Sequence, residues 1–312
     1  MAKVLVTGGA GFIGSHLVRG LLDRGDRVRV LDNLSTGSKA NLTGLEVDFI
    51  EGDIHDATVV QESIKDVDAI FHLAAFISVA GSMEDPLTCY ETNLNGSLNV
   101  LMQASQAGVR RVVLASSAAV YGESESTVAE NHPPNPLSPY AASKLAMEQA
   151  AKLFSESFSL ETVCLRYFNV YGPRQSPDSP YAAAIPMFIQ AMLAGEPATI
   201  HGDGRQTRDF VYVRDVVEAM LLAADGDSVI GQVFNIAGGK SIPILELVET
   251  LQRSFPESLD PVFDPPRQGD LRFSEADISM AERALGYRPR IDLQEGLGIT
   301  VEWFRSRREV ES

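Results

Sequence analysis

The sequence predicts an α/β protein: a doubly wound parallel sheet with a smaller C-terminal α/β lobe. Three observations predict it. Apolar runs of strand length alternate with helical spacings through the first half of the chain. Those runs are apolar on both faces, as a parallel sheet covered by helices on each side requires. The residues with chemistry to offer fall at the carboxyl ends of the runs, where open α/β sheets bind ligands.

The elements follow in chain order. Lys3-Val4-Leu5-Val6 reads as a buried strand. It leads into Thr7-Gly8-Gly9-Ala10-Gly11-Phe12-Ile13-Gly14-Ser15, a loop with glycines at Gly8, Gly11 and Gly14. Ser15 to Leu22 then reads as a helix facing a core with Leu17, Leu21 and Leu22. Strand, glycine turn and helix in that order form an anion site at a helix N-terminus, suited to a dinucleotide pyrophosphate. Glycine serves where the backbone turns sharply or must approach the phosphates. A second strand, Val28-Arg29-Val30-Leu31, ends at Asp32. A carboxylate there accepts from adenosine ribose hydroxyls and repels a 2′-phosphate, so the expected dinucleotide is NAD. Val47 to Ile50 is a third strand, ending at Gly52-Asp53-Ile54, and Ala69 to Ala75 a fourth. Asn95 to Ala107 has helical spacing and stops at Gly108. Arg111 to Ala115 is a fifth strand, ending in Ser116-Ser117. Right-handed crossovers wind these strands into one sheet.

The texture changes near residue 170, where Gly172 to Pro180 is a turn-rich loop. Residues 1–170 are expected to form the dinucleotide-binding domain and residues 171–312 mainly a second lobe. Segments near 210–240 are expected to return to the first domain. Phe210 to Val213 and Gln232 to Ala237 read as strands, with Val216 to Ala224 a helix between them. Ile185 to Leu193 and Ile244 to Leu251 have helical spacing, and the charged tail from Arg305 to Ser312 is expected to fray.

Composition narrows the functional classes. The chain has 312 residues, 45% hydrophobic and 22% charged, as ordinary globular proteins do. A formal net charge of -16 disfavours nucleic acid and anionic membrane as partners. Cys89 and Cys164 are far apart in apolar contexts, and the five histidines show no metal-ligand spacing. With no signal pattern and no membrane-length apolar run, a cytoplasmic location is expected.

The chemical signal is Tyr140-Ala141-Ala142-Ser143-Lys144. Residues i and i+4 share a helix face, so a phenol and an ammonium stand together. A nearby cation is expected to favour phenolate and lower the phenol's pKa from about 10. Tyr140 then serves as a base for a hydroxyl proton while hydride leaves the adjacent carbon. Ser117, at a strand end, is placed to hydrogen-bond the same oxygen.

With these residues in view, the chain resembles the extended short-chain dehydrogenases/reductases, and among them the nucleotide-sugar 4-epimerases. The resemblance rests on Thr7 to Leu17, Asp32 to Gly37, His72 to Ala75, Asn93 to Gly96, Ala115 to Gly122, Ser138 to Lys144, Leu165 to Asn169, Arg208 to Phe210 and Arg267 to Asp270. It implies a Rossmann sheet and places Gly11, Phe12 and Ile13 at the pyrophosphate. It implies Asp32, Asn33, Leu34, Ser35, Thr36 and Gly37 at the adenosine ribose, with Asp53 and Ile54 at the adenine. Leu73, Ala74, Ala75 and Asn93 would lie along the cofactor, Lys144 at the nicotinamide ribose and Phe168 near the ring. Asn169, Arg208 and Arg267 would hold a nucleoside diphosphate, Asp270 its ribose, and His201 would stack on uracil. The implied substrate is a UDP-sugar and the implied assembly a homodimer. The implied reaction oxidises the sugar at C4, turns the 4-keto sugar over and reduces it on the other face.

Two departures refine this. Dehydratases of the superfamily place an acid pair after the serine, whereas Ser117 is followed by Ala118-Ala119-Val120-Tyr121. Ser274 stands where hexose-restricted epimerases carry a tyrosine, which leaves room for an N-acetyl group. Ser78 and the segment Tyr181 to Pro186, Ala183 included, also resemble members that act on N-acetylhexosamines. UDP-glucose/UDP-galactose and UDP-GlcNAc/UDP-GalNAc are the expected substrate pairs. Epimerisation or decarboxylation of UDP-glucuronate is an alternative, as is a non-catalytic NAD-sensing regulatory protein.

Overall fold

The structure, a computed structural model, describes residues 1–177, 183–266 and 271–311. Six strands come first: β1 (Lys3–Thr7), β2 (Arg27–Asp32), β3 (Asp48–Glu51), β4 (Ala69–His72), β5 (Arg111–Ser117) and β6 (Glu161–Tyr167). Then β7 (Asn169–Tyr171), β8 (Thr199–His201) and β9 (Thr207–Tyr212) enter the second lobe. The chain returns through β10 (Val233–Ile236), then leaves again through β11 (Ser241–Pro243) and β12 (Val262–Asp264). The large sheet has the order β10-β6-β5-β4-β1-β2-β3. Every pairing within it is parallel. β9 lies between β7 and β11 in a separate three-stranded sheet, so the 210–240 segment divides between the two lobes.

Period-two alternation sorts the side chains of the large sheet. Val4 and Val6 of β1 join one core; Leu5 joins the other. The first core packs α1 (Phe12–Asp23) and, from far along the chain, α8 (Val213–Asp225), through Leu17, Leu21, Val216 and Met220. The second packs α2 (Ala57–Ile64), α5 (Ser97–Ala107) and α6 (Pro139–Ser157), through Val60, Ile64, Val100, Leu101, Met147 and Phe154. Between α2 and α5 run the short α3 (Val79–Glu84) and α4 (Pro86–Tyr90). A third core, around Ile189, Leu247 and Val301, fills the second lobe with α7 (Ala184–Ala194), α9 (Ile244–Gln252) and α11 (Leu293–Glu311); α10 (Ser279–Leu285) packs back on the first core.

Local chemistry sets the boundaries. Asp56 starts α2 by accepting from the Thr58 and Val59 amides. Ser138 starts α6 in the same way, from Ala141 at 3.2 Å, with Pro139 in the first turn. Gly108 closes α5 in the left-handed region, at φ 71°. Three expectations are corrected. β4 stops at His72, so Leu73 to Ala75 are loop rather than strand. Residues Glu91–Gly96 form a π turn, and regular helix begins only at Ser97. The tail is helical through Glu311: Phe304 is buried and the Arg305 guanidinium stacks 4.9 Å from the Phe255 ring centroid. Among the described residues no helix is long and apolar enough to cross a membrane. Nor does any cluster of three or more His, Cys, Asp or Glu side chains form a potential metal site there.

A buried ion pair fixes α6 on the sheet. Glu148 accepts from Arg166 of β6 at 2.9 Å and 2.6 Å and from the Ser116 hydroxyl of β5 at 2.5 Å. Removing one partner of such a pair strands a buried charge. Glu148→Ala should therefore lower the free energy of unfolding by about 3–5 kcal/mol, measured by urea denaturation followed by circular dichroism.

Candidate active site

A cleft of about 220 Å³ runs across the carboxyl ends of the large sheet. Gly8, Gly11, Phe12, Ile13 and Gly14 line it from the β1–α1 turn. Asp32, Asn33, Ser35 and Thr36 follow β2, and Asp53 and Ile54 follow β3. Leu73, Ala74 and Ala75 follow β4, and Tyr140 and Lys144 face in from α6. Backbone packing dictates two of the glycines. Gly8 has φ 70°, and a Cβ there would sit 2.7 Å from the Ala74 nitrogen. A Cβ at Gly14 would collide with the Gly8 carbonyl. No side chain caps α1 and no acid occupies its first turn, so the amides that open the helix are free for an anion. Asp32 closes the loop by accepting from the Ala10 amide at 2.9 Å and the Leu34 amide at 2.8 Å. A glycine cradle, an uncapped helix start and a carboxylate at the end of β2 together fit a dinucleotide.

The remaining expected cofactor residues act from outside this cleft. Leu34, at φ 60°, gives its amide to Asp32, and Gly37 packs against Ala10, where a Cβ would lie 2.9 Å from the Ala10 carbonyl carbon. Asn93 is buried, and its side-chain amide bonds to the Phe76 backbone and to the Ser143 hydroxyl. It therefore ties the loop after β4 to α6. Phe168 lies in a neighbouring cleft. Reading from sequence missed Leu31, Gly52, Ile77, Thr92, Ala115 and Tyr167, which also line the dinucleotide cleft, beside Ser116 at the expected end of the fifth strand. Gly52, Ala115 and Tyr167 lie at or beside strand carboxyl ends, so the topological rule alone could have found them.

Lys144 is 4% exposed and donates to the Ala115 carbonyl at 2.9 Å. Its Nζ lies 6.0 Å from the Tyr140 ring centroid. Ser117 lines the adjoining cleft, and its hydroxyl acts to lower the phenol's pKa. Burial lowers the ammonium to about 8 and raises the phenol above its ordinary value. Both shifts have one cause, since desolvation disfavours whichever form is charged. The expected lowering of Tyr140 is thus corrected: in the protein alone, burial above all raises it.

A buried chain of hydrogen bonds underlies the cleft. The Ser97 hydroxyl donates to the Asn93 carbonyl at 2.7 Å, so it accepts from His72 Nε2, 2.8 Å away. His72 Nδ1 then accepts from the Thr7 hydroxyl at 2.7 Å, which itself accepts from the Ala74 amide at 3.2 Å. The ring is neutral, because burial, reinforced by Lys144, lowers it to about 3. The ends of β1 and β4 are thereby held to α5.

A second cleft, of about 190 Å³, adjoins the first. Ser117, Phe168, Asn169, Arg208 and Ser274 line it, and Tyr167 borders both. Asn169 donates to the Asp209 carbonyl at 3.1 Å. Asp209 is buried, and burial raises it to about 6. Its carboxylate accepts from the Gly238 and Ala276 amides, which fixes the wall carrying Ser274. Ser78, Ala183 and His201 do not line this cleft. Ser78 caps α3, Ala183 precedes α7, and the His201 carbonyl accepts from Gln206. Arg267 and Asp270 lie outside the described residues, as does part of the Tyr181 to Pro186 segment.

A glycine loop beneath parallel strand ends, with a buried Tyr-x-x-x-Lys face opposite, defines an enzyme of the extended short-chain dehydrogenase/reductase type. Residues 4–237 match the family model described as the NAD dependent epimerase/dehydratase family; the chain belongs to that family, and its dinucleotide is NAD. The chain is 41% identical over 313 residues to the UDP-glucose 4-epimerase of Mycolicibacterium smegmatis, a match covering 98% of this chain and 99% of that protein. It is similar in structure to a UDP-N-acetylglucosamine 4-epimerase from Methanobrevibacter ruminantium in complex with UDP-N-acetylmuramic acid. That match has a TM-score of 0.94 and 42% identity over 98% of this chain and 99% of that one. A Thermus thermophilus UDP-glucose 4-epimerase in complex with NAD matches with a TM-score of 0.89 and 40% identity, over 97% of this chain and 99% of that one.

The buried neutral histidine has a pH signature. His72 titrates near 6.5 in the unfolded chain and at about 3 when folded. Between those values only the unfolded chain binds the proton, so stability falls as pH is lowered from 6.5 toward 3. The slope from this residue is about 1.4 kcal/mol per pH unit. His72→Gln should flatten the acid limb of a plot of unfolding free energy, from urea denaturation, against pH by that amount, whatever its effect at pH 7.

Proposed function

We propose that the chain is an NAD-dependent 4-epimerase of UDP-hexoses, acting on UDP-glucose/UDP-galactose and on the N-acetylated pair. One observation carries this reading: Tyr140 and Lys144 line the dinucleotide cleft, and Ser117, at the end of β5, lines the second cleft that adjoins it. The 4-epimerases among its relatives support it.

Bound NAD supplies a hydride acceptor and, once reduced, the donor that returns the hydride. Tyr140 takes the C4 hydroxyl proton as the C4–H bond breaks, and Ser117 holds the same oxygen. Lys144 keeps a positive charge beside the phenol, which favours the phenolate during the transfer. After the 4-keto sugar turns, Tyr140 returns the proton while C4–H forms on the opposite face. Atoms and electrons balance over the cycle, and NAD is regenerated. Asn169 and Arg208, with Arg267, are proposed to hold the diphosphate as the pivot, with Asp270 at the ribose. Ser274 leaves room beside the sugar for an N-acetyl group. Arg174 donates to the Ser15 hydroxyl of α1 at 3.1 Å. It does not line the second cleft, which favours neutral hexoses over a C6 carboxylate. Retention of Ser117, Tyr140 and Lys144 together favours an enzyme over a regulatory NAD sensor.

The proposed assembly is a homodimer. Met102 of α5, Leu153 of α6 and Leu87 of α4 are exposed apolar side chains on neighbouring helices. The proposed location is the cytoplasm, in keeping with two buried free thiols.

Tyr140→Phe should retain NAD at purification and lose roughly 10²–10⁴-fold in turnover of UDP-glucose. Assays with UDP-glucose, UDP-GlcNAc and UDP-glucuronate, with product identification, test the substrate range. Normal turnover by the variant overturns the assignment of the base, and failure of UDP-GlcNAc to react overturns the open pocket. Met102→Glu with Leu153→Glu should shift the sedimentation coefficient from dimer to monomer.

A further inference from the structure

Tyr167 is the last residue of β6, and its side chain is 7% exposed. Its hydroxyl is buried with no hydrogen-bond partner among the described residues. A buried hydroxyl left unpaired costs free energy, and nearly all such groups in folded proteins find a partner. The partner Tyr167 awaits is indicated by where it stands. It is the register partner of Ser117 on β5. It borders the dinucleotide cleft beside Ala115 and Ser116, and the second cleft beside Phe168 and Asn169.

The direction of the cleft narrows the choice. Asp32 and Asp53 follow β2 and β3, at one edge of the sheet. They mark the adenosine end of a dinucleotide that crosses β1 at the glycine loop. The other end therefore lies over β4, β5 and β6, opposite Tyr140 and Lys144, and β6 is the last strand that reaches it. The polar group at that end of NAD is the carboxamide on the redox-active ring.

We propose that the Tyr167 hydroxyl donates a hydrogen bond to the nicotinamide carboxamide and so fixes how the ring lies at the junction of the two clefts. Burial holds this phenol well above its ordinary pKa, so it stays a neutral donor while Tyr140 exchanges protons. The proposal rests on NAD as the cofactor and not on the identity of the sugar.

The test is exchange of bound NAD on the holoenzyme, read as displacement by excess labelled NAD. Losing one neutral hydrogen bond should speed release roughly threefold to tenfold in Tyr167→Phe. Tyr212 offers the control: its hydroxyl is also buried and unpaired, but it borders neither cleft. Tyr212→Phe should exchange NAD at the wild-type rate. Exchange by Tyr167→Phe at the wild-type rate overturns the proposal. So does unchanged exchange with a raised KM for UDP-glucose, which would give the hydroxyl to the sugar instead. Because exchange needs no sugar, absence of epimerase activity leaves this result readable.

Discussion

The chemistry of this protein depends on how α6 is held to the sheet. Tyr140, Lys144 and Glu148 occupy one face of that helix at successive turns. Glu148 accepts from Ser116 on β5 and from Arg166 on β6. One carboxylate thus fixes the height and rotation of the helix against two strand ends. β5 carries Ser117 one residue after Ser116, so Tyr140 and Ser117 are set by a common anchor. Arg166 is in turn covered by the Tyr121 ring, 4.7 Å away, which keeps water from the pair. A buried ion pair gains little net stability against a hydrophobic substitute. Its value here is positional, since a slip of the helix would carry the phenol away from the cleft.

Desolvation then decides the proton affinities. The same burial that positions Tyr140 raises its pKa and brings Lys144 down to about 8. The protein alone therefore holds a neutral phenol beside an ammonium that burial has made more acidic. Phenolate is gained only when further positive charge or new hydrogen bonds enter the cleft, so ionisation of Tyr140 is conditional on what binds there. His72 obeys the same constraint: kept neutral, it can accept from Thr7 and donate to Ser97 without adding a second cation beneath Lys144.

What the sequence made legible was local. The strand–glycine–helix run and Asp32 follow from spacing, and the parallel sheet follows from strands apolar on both faces. Tyr140 and Lys144 share a face by helix geometry alone. The features that escaped depend on contacts between residues distant in sequence. Nothing near Glu148 announces Arg166, eighteen residues on, as its partner. The lone hydroxyl of Tyr167 acquires meaning only when β6 lies beside β5. The pKa of Tyr140 went the unexpected way because burial is a property of the whole fold, whereas the cation at i+4 is visible in the chain. His201, Ser78 and Ala183 were placed by resemblance, and none of them lines the second cleft. The π turn before α5 escaped because Asn93 bonds across to Phe76 and Ser143, which no helical periodicity encodes.

The walls of the second cleft also explain why the reaction is expected to stop at hydride exchange. Elimination from a keto sugar needs a protonated acid facing the leaving hydroxyl. The two positions directly after Ser117, Ala118 and Ala119, line this cleft and carry no acid. Among its described lining residues the carboxyl group is Glu275. The Ser241 hydroxyl donates to it, and so does that of Thr127 at 2.7 Å. These bonds, that from Ser241 above all, lower its pKa. A carboxylate stabilised in its ionised form is a poor proton donor at neutral pH. In the proposed reaction an oxidised sugar in this cleft would meet Tyr140 as the base to return its proton and, among the described lining residues, no acid to expel a substituent. Redox-neutral inversion at one carbon is then the open route, fixed as much by what Glu275 is prevented from doing as by what Tyr140 does.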